Sequence, residues 1–279
     1  MGELLQKING GWNGYDNLFV NRLDLVGGNK VFRLRQFFKE HENIETLVAF
    51  SYPGAQTFHA LNAYNSSLEK DRQMNLLFLE QETPLNPFTE AKRNVYLKQE
   101  KISVITAPFW KQMLRFFFYK YFGGKKHTTL GIGGHIDLNG GNPYAEVYND
   151  CCSKLAGQQQ QVIHIFSIAS GNMADSFFKI IDQTNNKHHL AGVTTGGNKT
   201  FPYLSYKYGR KQNITLHRPL NYSYETYKEK AKAFYQKSGF WLDPTHTINL
   251  LDVLDQNLLP KDATIVLWIT CPLVEKLYE

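Results

Sequence analysis

Cysteine is scarce in this chain. Only Cys151, Cys152 and Cys271 occur in 279 residues. So few thiols make no disulfide framework, and an adjacent pair with one distant partner has no zinc-finger spacing. The cysteines therefore read as buried or incidental, and no metal site is expected. Long apolar runs are missing too. The aromatic stretch 109–122 is interrupted by Lys111, Gln112, Arg115 and Lys120, too often for a segment that spans a bilayer. The first residues lack the basic, apolar and small-residue order of a secretory leader. The expected setting is cytoplasmic, with no membrane partner.

Charge of one sign is not concentrated anywhere. The formal net charge is +6 and the sequence pI is near 9.0, but the cations are spread along the chain. The short runs Lys125-Lys126 and Lys228 to Lys232 read as solvated faces rather than a nucleic-acid groove, so no nucleic-acid partner is expected. With 42% hydrophobic and 20% charged residues, the composition is that of an ordinary globular protein. The length allows one large domain or two smaller ones.

What is present is alternation. Apolar runs at 46–51, 75–79, 102–106, 128–132, 162–168, 190–194 and 264–270 read as strands, with 214–217 a further candidate. Between them, 31–42, 56–68, 89–98, 110–121, 145–155, 173–181, 225–237 and 248–256 read as helices. Residues 18–25 read as a strand or an extended lead-in, and residues 1–16, polar and glycine-rich, as an irregular arm. Strand and helix taken in turn predict parallel sheets covered by helices. In such folds ligands bind beyond the carboxyl ends of strands. Three strand-end loops qualify: 52–59, 133–141 and 169–173. The last, Ala169-Ser170-Gly171-Asn172-Met173, suits an anion best, because a small-residue turn aims backbone N–H groups outward at a helix N-terminus. Many strand–helix turns share that look without binding anything.

The stretch 27–38, GGNKVFRLRQFF, carries the most chemistry. Lys30 follows a Gly-Gly-Asn turn at a helix start, where the helix dipole and the cation Arg33 disfavour a charged ammonium. A neutral lysine is a nucleophile for carbonyl groups, a cofactor aldehyde included. The same residues also describe a surface lysine at the head of a helix.

Arg22-Leu23-Asp24-Leu25 followed by GGNK and Arg33-Leu34 resembles the signature of the 1-aminocyclopropane-1-carboxylate deaminase / D-cysteine desulfhydrase family. These are pyridoxal-phosphate (PLP) enzymes of the tryptophan-synthase-β fold type. Further blocks fall in the family's order. Tyr52 to His59 (YPGAQTFH) lies at its GGxxSNH loop, Gly131 to Gly134 at its PEGG segment with Ile132 in place of Glu, and Ser170 to Met173 at its phosphate loop. Leu242 to Thr247 (LDPTHT) lies at its LDPxYTGK segment, and TCPL (270–273) at its TGGL.

The resemblance implies an α/β protein with two parallel-sheet domains: a smaller one over 36–122, inserted into a larger PLP-binding one made of 1–35 and 123–279. It implies a PLP-dependent deaminase or β-elimination lyase acting on a small amino acid of the D-cysteine or aminocyclopropane-carboxylate type, and leaves a homodimer open. Lys30 would hold the cofactor and move the α-proton. Arg33, with Ser170, Gly171, Asn172 and Met173, would meet the phosphate. Thr57, Tyr222 and His246 would act at the reacting face, with His59 beside the cofactor. Thr247 would face the pyridine nitrogen. Phe58 stands where the family has an Asn that hydrogen-bonds the cofactor ring, and Phe has no donor. His246 replaces a Tyr, and Cys271-Pro272 replace small residues. Beside the active enzyme stand two other readings: a divergent homologue that binds PLP or another anion without turnover, and a basic α/β protein that binds a nucleotide at the Ala169 turn.

Overall fold

The computed structural model describes residues 4–41, 44–85, 87–124, 127–131, 140–169, 171–181, 187–195, 200–220, 223–243 and 246–271. They fall into two compact units, one of residues 4–25 with 142–271 and one of residues 26–141. Among the described residues no helix is long and apolar enough to cross a membrane.

The first unit is built on strands β1 (Leu5–Lys7), β2 (Leu18–Arg22), β7 (Val162–Ile168), β8 (His188–Thr194), β9 (Ile214–His217) and β10 (Thr264–Ile269). They form one sheet in the order β1-β2-β10-β7-β8-β9. All pairs are parallel except β1 with β2. The central strand β10, TIVLWI, is buried along its whole length, as a parallel strand covered on both faces must be. Its helices are α5 (Ala145–Lys154), α6 (Asn172–Ile181), α7 (Thr200–Tyr208), α8 (Tyr224–Ser238) and α9 (Leu250–Asp255). On one sheet face Ile163, Ile165, Ile265 and Leu267 pack with Ala231 and Phe234 of α8 and Leu251 and Leu254 of α9. On the other, Trp268 and Phe166 pack on Phe177 of α6, and Tyr148 of α5 lies against both Phe177 and Trp268.

Two segments differ from expectation. The N-terminal arm is ordered: β1 pairs antiparallel with β2, and Ile8, Trp12 and Tyr15 enter the core. Trp12 Nε1 donates to Asp255 Oδ1 at 2.7 Å and the Tyr15 hydroxyl to the Leu259 carbonyl at 3.0 Å. Widely spaced large apolar residues among glycines anchor the arm without any regular period. Helix α7 was not foreseen either; its aromatic sequence lacks an amphipathic stripe, and only Leu204 and Tyr208 of it are buried.

The second unit has a four-stranded parallel sheet, β5 (Ile102–Ala107), β4 (Asn75–Gln81), β3 (Thr46–Ser51) and β6 (His127–Thr129), in that order. Helices α1 (Lys30–Glu40), α2 (Gln56–Ser66), α3 (Pro87–Leu97) and α4 (Phe109–Phe122) belong to it. Helix α1 begins before the 36–122 span and strand β6 follows it, and both are tied into this unit, α1 through Leu34 and Phe37 in its core and β6 through pairing with β3. The core also takes Leu47, Ala49, Phe58, Leu61, Phe78 and Tyr96. Beside it sits a fully buried carboxylate, Glu80. Arg93 Nε donates to its Oε2 at 2.7 Å, the Thr106 hydroxyl donates to the same oxygen at 3.2 Å, and the Tyr96 hydroxyl donates to Oε1.

Candidate functional site

In the second unit the Gly-Gly-Asn-Lys turn is shaped by packing. Gly27 has φ +92°, and a Cβ there would lie 2.5 Å from Ala63 Cβ of α2. Only glycine combines that backbone with so close an approach. The turn delivers Lys30 as the first residue of α1. Asn29 gives α1 no side-chain cap; its Oδ1 accepts instead from Gln56 Nε2 at 2.7 Å. That bond fastens the turn to the first residue of α2. The next residue, Thr57, is fully buried, and its hydroxyl accepts from Lys30 Nζ. Two helix N-termini therefore face one half-buried amine. A helix N-terminus carries positive potential, which attracts an anion. Arg33 is half-buried one turn further along α1.

The neighbours of Thr57 part company. Phe58 is fully buried and stacks on Phe78 with centroids 4.2 Å apart. Its ring packs in the hydrophobic core, where it offers no hydrogen-bond donor to a cofactor. On a helix, consecutive residues point about 100° apart. With Thr57 turned to Lys30, residue 58 faces the sheet, and a large apolar side chain stays there. His59 is buried with its ring edge-on to Tyr96, centroids 5.5 Å apart.

In the first unit the turn after β7 leads into α6 through Gly171, which has φ +83°. A Cβ there would collide with the Tyr208 hydroxyl. That hydroxyl contacts the Gly171 carbonyl at 2.9 Å and Asp175 Oδ1 at 2.7 Å, while Lys207 Nζ pairs with Asp175 Oδ2 at 2.6 Å. Burial, then the bond to Asp175, pushes the Tyr208 hydroxyl well above its ordinary range. The start of α6 thus carries a carboxylate of its own, already matched by Lys207. Asn172 is half-buried and Met173 buried at this turn. Ser170 and Tyr222 lie outside the described residues, as do 132–139 and Pro272.

Thr247 is fully buried and donates its hydroxyl proton to the Asp243 carbonyl at 3.0 Å. A hydroxyl has one proton to give, so here it has none for a pyridine nitrogen. The adjacent His246 is fixed through its backbone: its N–H donates to Asp243 Oδ1 at 2.8 Å, and its carbonyl accepts from Ser167 Oγ. Its side chain is half-buried. Burial pushes the Cys151 thiol up to about 12 and the Cys152 thiol up to about 11, which disfavours their thiolate forms at neutral pH.

No protein-family model matches the sequence, and no curated protein does. Solved structures do match. An ACC deaminase homologue aligns at TM-score 0.67 with 14% identity, covering 96% of this chain and 88% of its own. A hydrogen sulfide-producing enzyme from Fusobacterium nucleatum aligns at 0.64 with 14% identity, over 96% and 94%. A pyridoxal 5'-phosphate-dependent aspartate racemase aligns at 0.60 with 11% identity, over 94% and 85%. The chain has the tryptophan-synthase-β-like α/β fold. At these identities the likeness concerns the fold.

Proposed function

We propose that the protein is a PLP-dependent enzyme that deaminates a small amino acid, or eliminates its β-substituent, with Lys30 as the residue that holds the cofactor. One observation carries this reading: Lys30 Nζ is held by the buried Thr57 hydroxyl where the first turns of α1 and α2 meet. An amine kept there is the nucleophile that a cofactor aldehyde requires. The donor set also fits an anionic cofactor, because both helix N-termini and Arg33 supply positive potential near the amine. When bound, PLP would supply an electron sink for the substrate carbanion. Lys30 would take and return the α-proton, Thr57 would orient the amine, and His246 is the proton-transfer candidate in place of the family's Tyr. Gly171, Asn172 and Met173 are proposed as phosphate contacts, with a small amino acid as the substrate and a homodimer as the assembly.

Phe58 and Thr247 favour a second reading, a homologue that binds PLP without turnover. Phe58 brings no donor to the cofactor ring, and the Thr247 proton is spent on Asp243.

The test is spectroscopic. Protein mixed with PLP should develop a visible band that borohydride removes, leaving the label on the peptide that contains Lys30. Lys30→Ala should show neither, and wild-type protein that takes no label would end the PLP reading. Exchange of α-protons in deuterated water, across D- and L-amino acids, then separates the two readings. Exchange that depends on Lys30 identifies an enzyme, and its absence with PLP bound identifies the silent homologue.

A further inference from the structure

Helix α4 of the second unit has its polarity reversed. The residues it buries are Gln112 and Phe116. Gln112 Nε2 donates to the Glu80 carbonyl at 2.7 Å and contacts the Ile105 carbonyl, and Phe116 packs with Val48, Phe50 and Leu79. These anchors set the rotation of the helix. The opposite side then carries Trp110, Leu114, Phe117, Phe118 and Tyr121, which at 100° per residue fall within an arc of about 100°. No polar side chain interrupts that arc. Trp110 is 60% exposed, Leu114 63%, Phe118 59% and Tyr121 68%. A surface helix of a globular protein has the reverse pattern, apolar toward the core and polar toward water. Single exposed apolar residues are ordinary, but a continuous stripe of them marks an interaction surface.

We propose that the outward face of α4 docks on the surface of a bilayer that contains anionic phospholipid. The charges of the helix fit that occupant. Lys111 and Arg115 border the apolar arc on one side and Lys120 lies on the other, and the helix contains no Asp or Glu. Among the described residues none of these three cations forms an ion pair with a carboxylate. Lys111 Nζ is 5.4 Å from the centroid of the Trp110 ring and Lys120 Nζ 5.7 Å from that of Tyr121, so two of the cations stand beside rings of the stripe. An apolar face rich in Trp, Phe and Leu enters the boundary between headgroups and acyl chains. Lysine and arginine on its borders lay their stems along the apolar surface and carry their charged heads to the lipid phosphates.

The same charges disfavour a second copy of the chain on this face. In an isologous dimer α4 would meet α4 across a two-fold axis. Lys111, Arg115 and Lys120 of both copies would then converge, with no carboxylate on either helix to match them. The geometry also fixes how the helix would lie. Its 14 residues make about 21 Å of helix, short of a hydrocarbon core of about 30 Å, so α4 rests in the plane of the interface. The polar residues within 109–122 exclude a spanning segment but leave this mode open. Three of them are the flanking cations, and the fourth, Gln112, is turned into the protein. The lack of a spanning run therefore does not exclude a membrane partner of this kind.

The experiment sediments the full chain with vesicles of phosphatidylcholine alone and of an equal mixture of phosphatidylcholine and phosphatidylserine. Wild type should pellet with the mixed vesicles, stay in solution with phosphatidylcholine alone, and be released by added salt. The mixed vesicles should shift tryptophan fluorescence to the blue, and Trp110→Phe should abolish that shift while keeping the binding. Leu114→Ser combined with Phe118→Ser should weaken binding more than about tenfold. Lys111→Gln combined with Arg115→Gln should weaken it about thirtyfold, at roughly a factor of five per cation. All four positions are exposed, so the variants should fold, which matched circular dichroism spectra would verify. Failure to pellet with the mixed vesicles, equal binding to both kinds of vesicle, or undiminished binding in the Leu114→Ser, Phe118→Ser variant would overturn the proposal. So would a wild-type dimer, formed without vesicles, that the same variant converts to monomers, since a second copy would then cover this face.

Discussion

The ring of Phe58 lies flat on the ring of Phe78, with centroids 4.2 Å apart and planes 8° from parallel, and Tyr96 meets both edge-on. This arrangement decides what residue 58 does. Phe58→Asn would place an amide in an apolar cluster and leave a cavity behind. A loss of about 3–5 kcal/mol in unfolding free energy is expected, measured by urea denaturation of the PLP-free protein. No gain in PLP affinity should accompany it. A variant that keeps wild-type stability and binds PLP more tightly would place the side chain in a cofactor pocket after all.

Glu80 gives a second stability prediction in the same unit. Its carboxylate is fully buried and holds Arg93, Thr106 and the Tyr96 hydroxyl. Tyr96 in turn accepts from the Gly54 N–H at 2.8 Å, so one carboxylate ties α3, β4, β5 and the loop before α2. Removing one member of a buried charge network leaves its partners desolvated and unmatched, at a cost of about 3–5 kcal/mol. Glu80→Ala should lose that much, and Tyr96→Phe about 1–2 kcal/mol. A loss below about 1 kcal/mol for Glu80→Ala would mean that Arg93 relaxes to solvent.

Much of this architecture was legible in the sequence. Strands β3, β7 and β9 match the apolar runs at their stated bounds, because a buried parallel strand is a short apolar run. The resemblance implied roles for Lys30 and Thr57 at one site, and no periodicity could have supplied their contact. Three things were hidden. Trp12 and Tyr15 anchor an arm that has no regular spacing. Phe58 occupies a motif position, yet its direction is set by the helix face and by Phe78 across the core. The outward apolar face of α4 depends on which side of the helix meets the sheet, and one of the two residues that settle it, Gln112, is polar.

Arg33 lies one helical turn after Lys30, so both side chains can face one ligand. If it meets the cofactor phosphate, Arg33→Ala should weaken PLP binding by about 1.5–3 kcal/mol, the range for a charge-assisted hydrogen bond. The check is a fluorescence titration with PLP, run in parallel with 4'-deoxypyridoxine 5'-phosphate, which keeps the phosphate and lacks the aldehyde. Both ligands should lose the same factor in Arg33→Ala, whereas Lys30→Ala should affect PLP more than the analogue. An unchanged dissociation constant for both ligands in Arg33→Ala would assign that arginine to solvent.

His164 sets an acid limit on stability. Burial, and then the neighbouring His188, hold its imidazole well below the ordinary value of 6.5, and its Nδ1 is committed to the Trp268 N–H. The sign follows from proton counting. Above pH 6.5 neither the folded nor the unfolded chain protonates this ring, and it adds no pH dependence. As pH falls below 6.5 the unfolded chain takes up a proton that the folded chain refuses, so unfolding becomes easier down to the depressed folded value. Burial lowers His188, His189 and His217 as well, which adds to the effect in the same direction. Urea midpoints should therefore drop between pH 7.5 and pH 5. His164→Leu should be less stable than wild type at pH 7.5, through loss of the Trp268 acceptor, yet show a shallower fall toward pH 5. Equal slopes in the two proteins would mean that the acid sensitivity comes from the other histidines.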